Sequence, residues 1–244
     1  MEAFFTKSEQ VQSIIKGFNL TKTLFVSSII IGEPNIGKKS LVRYLFPEAP
    51  LVSGINQEEV EAALLEYDEL IITDFEKLSN QESLNLDNKR IIATANYVGN
   101  QQTIDTLFAF IYMMPSFKER PEDTAYIRDL FIKEALSDLM IEESDFSAEE
   151  IPLNLNHNSK TLKRSIYKHL MNYSMDEKSI QESIYHYILK HLEGNNGYKE
   201  YLGLYEKPLI EAGLKKFGSQ LQLSQVLGIN RNTLRKKIHE HNID

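Results

Sequence analysis

The sequence predicts an α/β protein: a parallel-sheet P-loop domain with a small helical lid, followed by an all-α helix-turn-helix domain. Three observations carry this. Short apolar runs alternate with helical stretches in the first part of the chain. A glycine-rich loop ending in lysine follows the first of those runs. From Pro121 onward the periodicity is helical only, and it ends in two short helices around a glycine turn. A chain of 244 residues can bury a sizeable core in one or two domains.

Taken in order, residues 24–31 form a β-branched strand and residues 40–46 a helix. Residues 58–66 give a second helix. Residues 69–73 form a short apolar strand that ends at Asp74, and residues 90–95 form another that ends at Asn96. Two or three such strands separated by helices imply a parallel sheet. Residues 121–140 and 160–171 are helical and make the lid, with an acidic, then asparagine-rich loop over 142–159. The polar stretch 174–182 begins the junction to the last domain. The expected boundaries are 1–115, 116–175 and 176–244. There is no internal repeat or low-complexity tract.

Gly32-Glu33-Pro34-Asn35-Ile36-Gly37-Lys38-Lys39 fits G-x-x-x-x-G-K between a strand and a helix. Such a loop turns backbone N–H groups toward phosphate oxygens, and the lysine reaches the outer phosphates. The next position should carry a hydroxyl for Mg²⁺. Here it is Lys39, and Ser40 comes one place late. An ordinary strand-to-helix turn is the competing reading.

The chain's end, GSQLQLSQVLGINRNTLRKKIH, reads as two helices and a turn. Ser219 caps a first helix whose apolar positions are Leu221, Leu223, Val226 and Leu227. Gly228 takes the left-handed turn, Ile229 plugs it into the core, and Asn230 caps the second helix. That helix keeps only Leu234 and Ile238 on its apolar face. Arg231, Asn232, Thr233, Arg235, Lys236 and Lys237 cover the rest, a pattern suited to a DNA major groove. A solvated basic surface helix is the alternative.

The net charge of −8 opposes non-specific nucleic-acid binding by the whole chain. Residues 207–244, however, hold seven Lys/Arg against three Asp/Glu, leaving the body acidic. The absence of cysteine excludes disulfides and thiolate metal sites. The six histidines show no ligand spacing, and His239 and His241 read as surface residues. No apolar run approaches a membrane span and the N-terminus lacks a signal-peptide pattern, so the expectation is a cytoplasmic protein without a membrane partner.

GINRNTLRKKI, with KPLIEAGLKKFG before it, resembles the C-terminal helix-turn-helix of the Fis family, as found at the end of NtrC-type enhancer-binding proteins. The first helix departs from the family in its larger leucines. GEPNIGKKSLVRYL resembles the Walker A segment of NtrC-type AAA+ domains, IITDFEKL the Walker B segment, RIIATAN the sensor-I strand and PSFKERPED the segment after it. NSKTL stands where sensor II is found, with Lys160 in place of its arginine. The resemblance implies a nucleotide site of Gly32, Gly37, Lys38, Lys39, Ser40, Asp74, Asn96 and Lys160. ATP is its ligand, and Mg²⁺ is left open. It implies a DNA site of Asn230, Arg231, Asn232, Thr233, Arg235, Lys236 and Lys237.

The departures bear on mechanism. The family's water-activating glutamate is Phe75 here, and Glu76, one place on, would point elsewhere on a strand. No Arg or Lys lies between Ile91 and Phe117 to act as a finger, whose loss costs roughly 10³-fold or more in rate. The sigma-54-contacting GAFTGA motif is missing, and no receiver domain is expected ahead of the AAA+ part, so phosphorylation by a partner kinase has no obvious address. No catalytic residue and no metal ligand set is assigned.

The leading expectation is a sequence-specific DNA-binding transcriptional regulator with a degenerate AAA+ domain. An architectural DNA-bending protein and an ATP-hydrolysing sigma-54 activator stand as alternatives. The resemblance also implies a homodimer formed through residues 180–217, with Ile184, Tyr187, Ile188, His191 and Leu192 on one face. Tyr185, Tyr198, Tyr201 and Tyr205 would help pack its helices. Such a dimer would read pseudo-palindromic double-stranded DNA, and RNA polymerase is a further partner that the resemblance admits.

Overall fold

The computed structural model describes residues 4–142 and 151–243. Of the loop expected over 142–159, residues 143–150 lie outside the described residues. The chain divides into two compact units, Met1–Ser174 and Met175–Asp244.

In the first unit five strands form one parallel sheet in the order β2-β3-β4-β1-β5. They are β1 (Ser28–Ile31), β2 (Leu51–Ser53), β3 (Glu69–Thr73), β4 (Arg90–Ala95) and β5 (Phe110–Met113). Helices α1 (Glu9–Thr21), α2 (Lys38–Leu45), α3 (Gln57–Glu66) and α4 (Gln101–Leu107) connect and cover them. The inner strands are apolar at consecutive positions because both faces are covered. Ile29, Ile31 and Ile72 pack with Val60 and Phe75, whereas Ile30, Ile71 and Ile92 pack with Val11, Phe18 and Leu41.

Three expectations change here. The first strand begins at Ser28 rather than at residue 24, since Leu24 and Phe25 are half exposed and precede the paired register. Strands β2 and β5 add to the two or three expected. The first has three residues and the second is a half-exposed edge, so neither shows a clear apolar alternation. Residues 174–182 do not stay a junction: Asp176 accepts from the Ser179 amide at 2.8 Å and starts a helix at Glu177.

The sheet is followed by α5 (Pro121–Leu139) and α6 (Ser159–Tyr173). These two pack on each other through a separate core of Ile132, Ala135, Leu136, Leu162, Ile166 and Leu170.

The second unit is helical throughout its described residues: α7 (Glu177–His191), α8 (Gly197–Phe217), α9 (Gln220–Val226) and α10 (Arg231–Glu240). Ile210, Leu223 and Leu234 form its buried centre, with Leu227, Ile229 and Ile238 packed around them. Leu223 fits because α8 presents Gly213 to it, and a Cβ there would collide with the leucine side chain. Leu221 and Val226, expected in this core, are more than half exposed. With α9 only two turns long, of the four expected apolar positions Leu223 is buried and Leu227, its C-cap, packs against the same core, while Ser224 is buried beside Leu223.

Phe75 is fully buried and packs edge-to-face on Phe108, their centroids 5.0 Å apart. Phe75→Ala should therefore destabilise the first unit by about 3–5 kcal/mol. Urea denaturation followed by circular dichroism measures this, and an unchanged midpoint would contradict the packing.

Candidate functional site

Parallel strands leave their carboxyl ends on one edge of the sheet, where α/β proteins bind ligands. Ile31 lies opposite Ala95 in the register, so Gly32 and Asn96 emerge side by side, and the Gly32 amide donates to Ala95 O at 3.2 Å. Asp74 leaves β3 on the same edge. Gly32 has no room for a side chain, because a Cβ would lie 2.5 Å from the Met114 carbonyl oxygen. Gly37 caps α2 at φ 95°, a conformation that favours glycine, and no side chain bonds the first-turn N–H groups.

A cleft of about 580 Å³ opens here. Gly37, Lys38, Lys39, Ser40, Asp74, Lys77 and Asn96 line it, together with Asn35, Thr73, Thr94 and Ser159. Of the expected nucleotide residues, Gly32 shapes the loop from behind. Lys160 is exposed on α6 and does not line the cleft, because its neighbour Ser159 faces the loop instead.

The loop's carbonyls are all held. Lys38 Nζ donates to Gly32 O at 2.6 Å, to Glu33 O at 2.7 Å and to Asn96 Oδ1 at 3.1 Å. Asn158 Nδ2 donates to Pro34 O at 3.1 Å, Ser159 Oγ to Asn35 O at 2.7 Å, and Arg120 to Ile36 O at 2.7 Å. Arg120 is itself buried beside Asp123 at 3.2 Å. Asn158, at the start of α6, also donates to Glu33 Oε2 at 2.8 Å and accepts from the Phe117 amide at 3.1 Å.

Glu76 corrects the strand-based expectation. Asp74 is left-handed at φ 54° and the chain then enters a 3₁₀ turn, Phe75–Lys77. Phe75 therefore enters the core. Glu76 turns toward Asn96, whose Nδ2 donates to Glu76 Oε1 at 2.6 Å. Its Oε2 is buried with no hydrogen-bond partner among the described residues. Burial pushes Lys38 down to about 8, opposed by the charges of Glu76, Asp74 and Glu33.

The donor set does not suit a divalent cation bound in the P-loop manner. Lys39 offers an ammonium where a hydroxyl ligand is needed, and Asp74 Oδ1 lies 3.1 Å from Lys77 Nζ. Glu76 does not line the cleft.

Beside this cleft lies an aromatic one of about 330 Å³ that shares Gly37, Ser40 and Ser159 with it. Phe5 and Tyr126 stack there with centroids 3.8 Å apart. Sequence reading missed these residues, since isolated aromatics carry no spacing signal.

In the second unit, Gly228 is left-handed at φ 65° and Asn230 accepts from the Asn232 amide at 2.8 Å. Asn230 thus serves as a cap. Arg231, Asn232, Thr233, Arg235 and Lys236 are exposed along α10. Lys237 is not: its ammonium pairs with Glu206 of α8, and His241 Nε2 lies 3.1 Å from the other oxygen of the same carboxylate. The Lys237 ammonium holds Glu206 below the usual carboxylate range. His241 is therefore a packed residue, not a surface one. No cluster with metal-binding geometry occurs among the described residues.

Fold and cleft together define a parallel α/β unit with a P-loop-like turn at the carboxyl edge of its sheet, in a chain that ends in a helix-turn-helix. Its helix-turn-helix segment, residues 202–241, matches the family described as bacterial regulatory protein, Fis family. NtrX from Brucella abortus in complex with ATP aligns at a TM-score of 0.55 and 13% sequence identity, covering 99% of this chain and 70% of that one. The same protein in complex with ADP gives 0.54 at 13% identity, covering 98% and 70%. The Thermotoga maritima RuvB Holliday junction branch migration motor aligns at 0.45 and 14% identity, over 97% and 88%, a score too low to bear on the fold. No curated protein matches the sequence. Among the described residues no helix is long and apolar enough to cross a membrane.

An anion at the loop requires Lys38 in its protonated form. Free-site charge is lost as pH rises through about 8, and a bound phosphate opposes that loss. Phosphate affinity should hold at neutral pH and fall progressively above about pH 8. Calorimetric titration with ATP up to about pH 9.5 checks the sign. A flat profile would take Lys38 out of the site.

Proposed function

We propose that this chain is a sequence-specific DNA-binding transcriptional regulator whose AAA+ unit binds nucleotide without efficient turnover. The observation that carries the reading is α10, where Arg231, Asn232, Thr233, Arg235 and Lys236 form an exposed polar and cationic surface behind a buried Leu234. The first half of such a helix reaches base edges in the major groove, which makes Arg231, Asn232, Thr233 and Arg235 the base readers. Lys236 holds phosphate. Lys237 anchors α10 to α8 through Glu206.

The unit acts as a two-fold dimer. Helix α7 has no buried residue, and Ile184, Tyr187 and Leu192 are exposed along it, which supports an unfilled partner surface. A dimer would read two half-sites about one helical turn apart.

In the AAA+ unit the two clefts together have the form a nucleotide needs, phosphates against Lys38 and base beside Phe5 and Tyr126. Hydrolysis is disfavoured because Phe75 is buried where the family's glutamate would stand, and no cationic finger lies between Ile91 and Phe117. The sigma-54-contacting loop is missing as well. Residues 38–74 are taken up by α2, β2, α3 and β3.

Genome-wide mapping of bound DNA followed by gel-shift assays on the recovered sites tests the reading. Arg235→Ala should weaken a specific site by about 1–3 kcal/mol if it pairs with guanine. Affinity unchanged in both Arg231→Ala and Arg235→Ala would remove α10 from the interface.

Sedimentation of a fragment spanning 175–244, the second compact unit, should give a dimer at micromolar concentration. A monomer would contradict the two-fold reading. Phosphate release by the full chain should not exceed that of Lys38→Ala.

A further inference from the structure

The cleft's positive charge comes from side chains in the places where a P-loop protein relies on a metal. Lys39 follows the loop lysine directly, in the position of the metal-holding hydroxyl. Ser40 also lines the cleft, but one residue further on, about 100° round the helix. Asp74, the remaining carboxylate on the cleft wall, is already neutralised by Lys77 at 3.1 Å, and Lys77 lines the cleft too. Glu76 is held by Asn96 and does not line the cleft. A small divalent cation wants several oxygen ligands in near-ideal geometry, and this wall offers one carboxylate with an ammonium beside it. Lys38, Lys39 and Lys77 line the cleft with Asp74 as the one lining carboxylate; Glu76 and Glu33 act on Lys38 from outside the lining, so Lys39 and Lys77 are the cations left to face the open N–H groups of α2.

We propose that the cleft takes a nucleoside polyphosphate as the free anion, without a divalent cation. The ammonium groups of Lys39 and Lys77 supply the positive charge that a metal would otherwise bring. This rests on the nucleotide reading given above. A lysine ammonium is a competent point-charge partner for phosphate. When an anion enters, Lys77 can exchange Asp74 for a phosphate oxygen. It sits on a short 3₁₀ turn with its side chain half exposed. The arrangement favours retention of the ligand: no metal bridges the outer phosphates or neutralises charge developing on a leaving group.

The test is calorimetric titration of the full chain with ATP and with ADP, once in excess EDTA and once in Mg²⁺. The expected result is tight binding in EDTA and weaker apparent binding in Mg²⁺, more so for ATP than for ADP, because Mg²⁺ competes with the cleft for the free anion. Lys77→Ala should weaken metal-free binding by about tenfold, and Lys77→Arg should retain it. The double variant Lys39→Ser, Lys77→Ala should gain a dependence on Mg²⁺, because both a hydroxyl and an unpaired Asp74 then face the cleft. Thermal melts of each variant confirm that the unit stays folded. Wild-type binding strengthened by about tenfold or more with Mg²⁺ would overturn the inference while leaving the nucleotide reading intact. Unchanged metal-free affinity in Lys77→Ala would remove that residue from it. No binding in either buffer would overturn the nucleotide reading and this inference together.

Discussion

The first unit depends on how the carbonyl groups of residues 32–36 are satisfied. A loop that turns its N–H groups toward a ligand must aim its carbonyls the other way, and buried carbonyls without donors are costly. Lys38 serves the first two from within the loop. Asn158, Ser159 and Arg120 serve the rest from the region after the sheet. The conformation of the loop is therefore not a local property. It requires the start of α6 and the segment before α5 to be in place, and the buried Arg120–Asp123 pair fixes that segment. Asp123 is in turn tied to the start of the chain, accepting from Thr6 Oγ1 at 2.7 Å and from the Lys7 amide at 2.7 Å.

The same loop explains the chemical character of the cleft. Lys38 has all three of its donors engaged and is partly desolvated, so it is held in position and weakened as a cation. Glu76 accepts from the same Asn96 side chain that receives Lys38, and its charge opposes the desolvation of Lys38. The left-handed Asp74 is the pivot: by turning there, the chain sends a large aromatic ring into the core and brings the following carboxylate back toward the loop.

Much of this was legible in the sequence. The glycine-lysine loop, the apolar strands ending at Asp74 and Asn96, and the left-handed Gly228 followed by a capping Asn230 each have a local cause that the residues themselves state. What was not legible depends on distant partners. Asn158 and Ser159 reach the loop across more than a hundred residues. The direction of Glu76 hinges on one backbone angle. Lys237 looked identical to Lys236 in sequence, and only the approach of α8 sets Glu206 against one and not the other. Lys160 was placed by alignment of a motif, yet helix phase turns Ser159 to the cleft instead. Edge strands β2 and β5 escaped because they lack two buried faces.

The pairing of Gly213 with Leu223 makes the reading head less of a detachable cassette than its compact size suggests. The leucine side chain occupies the space that a Cβ at position 213 on α8 would need, so shape links two positions on either side of the Gly218 turn. A chimera joined at that turn would separate them. Grafted behind another helix with a side chain at the matching position, this segment would arrive with a protrusion and no recess. The indivisible module begins upstream of Gly213, and transplants of its specificity have to carry that stretch of α8 with them.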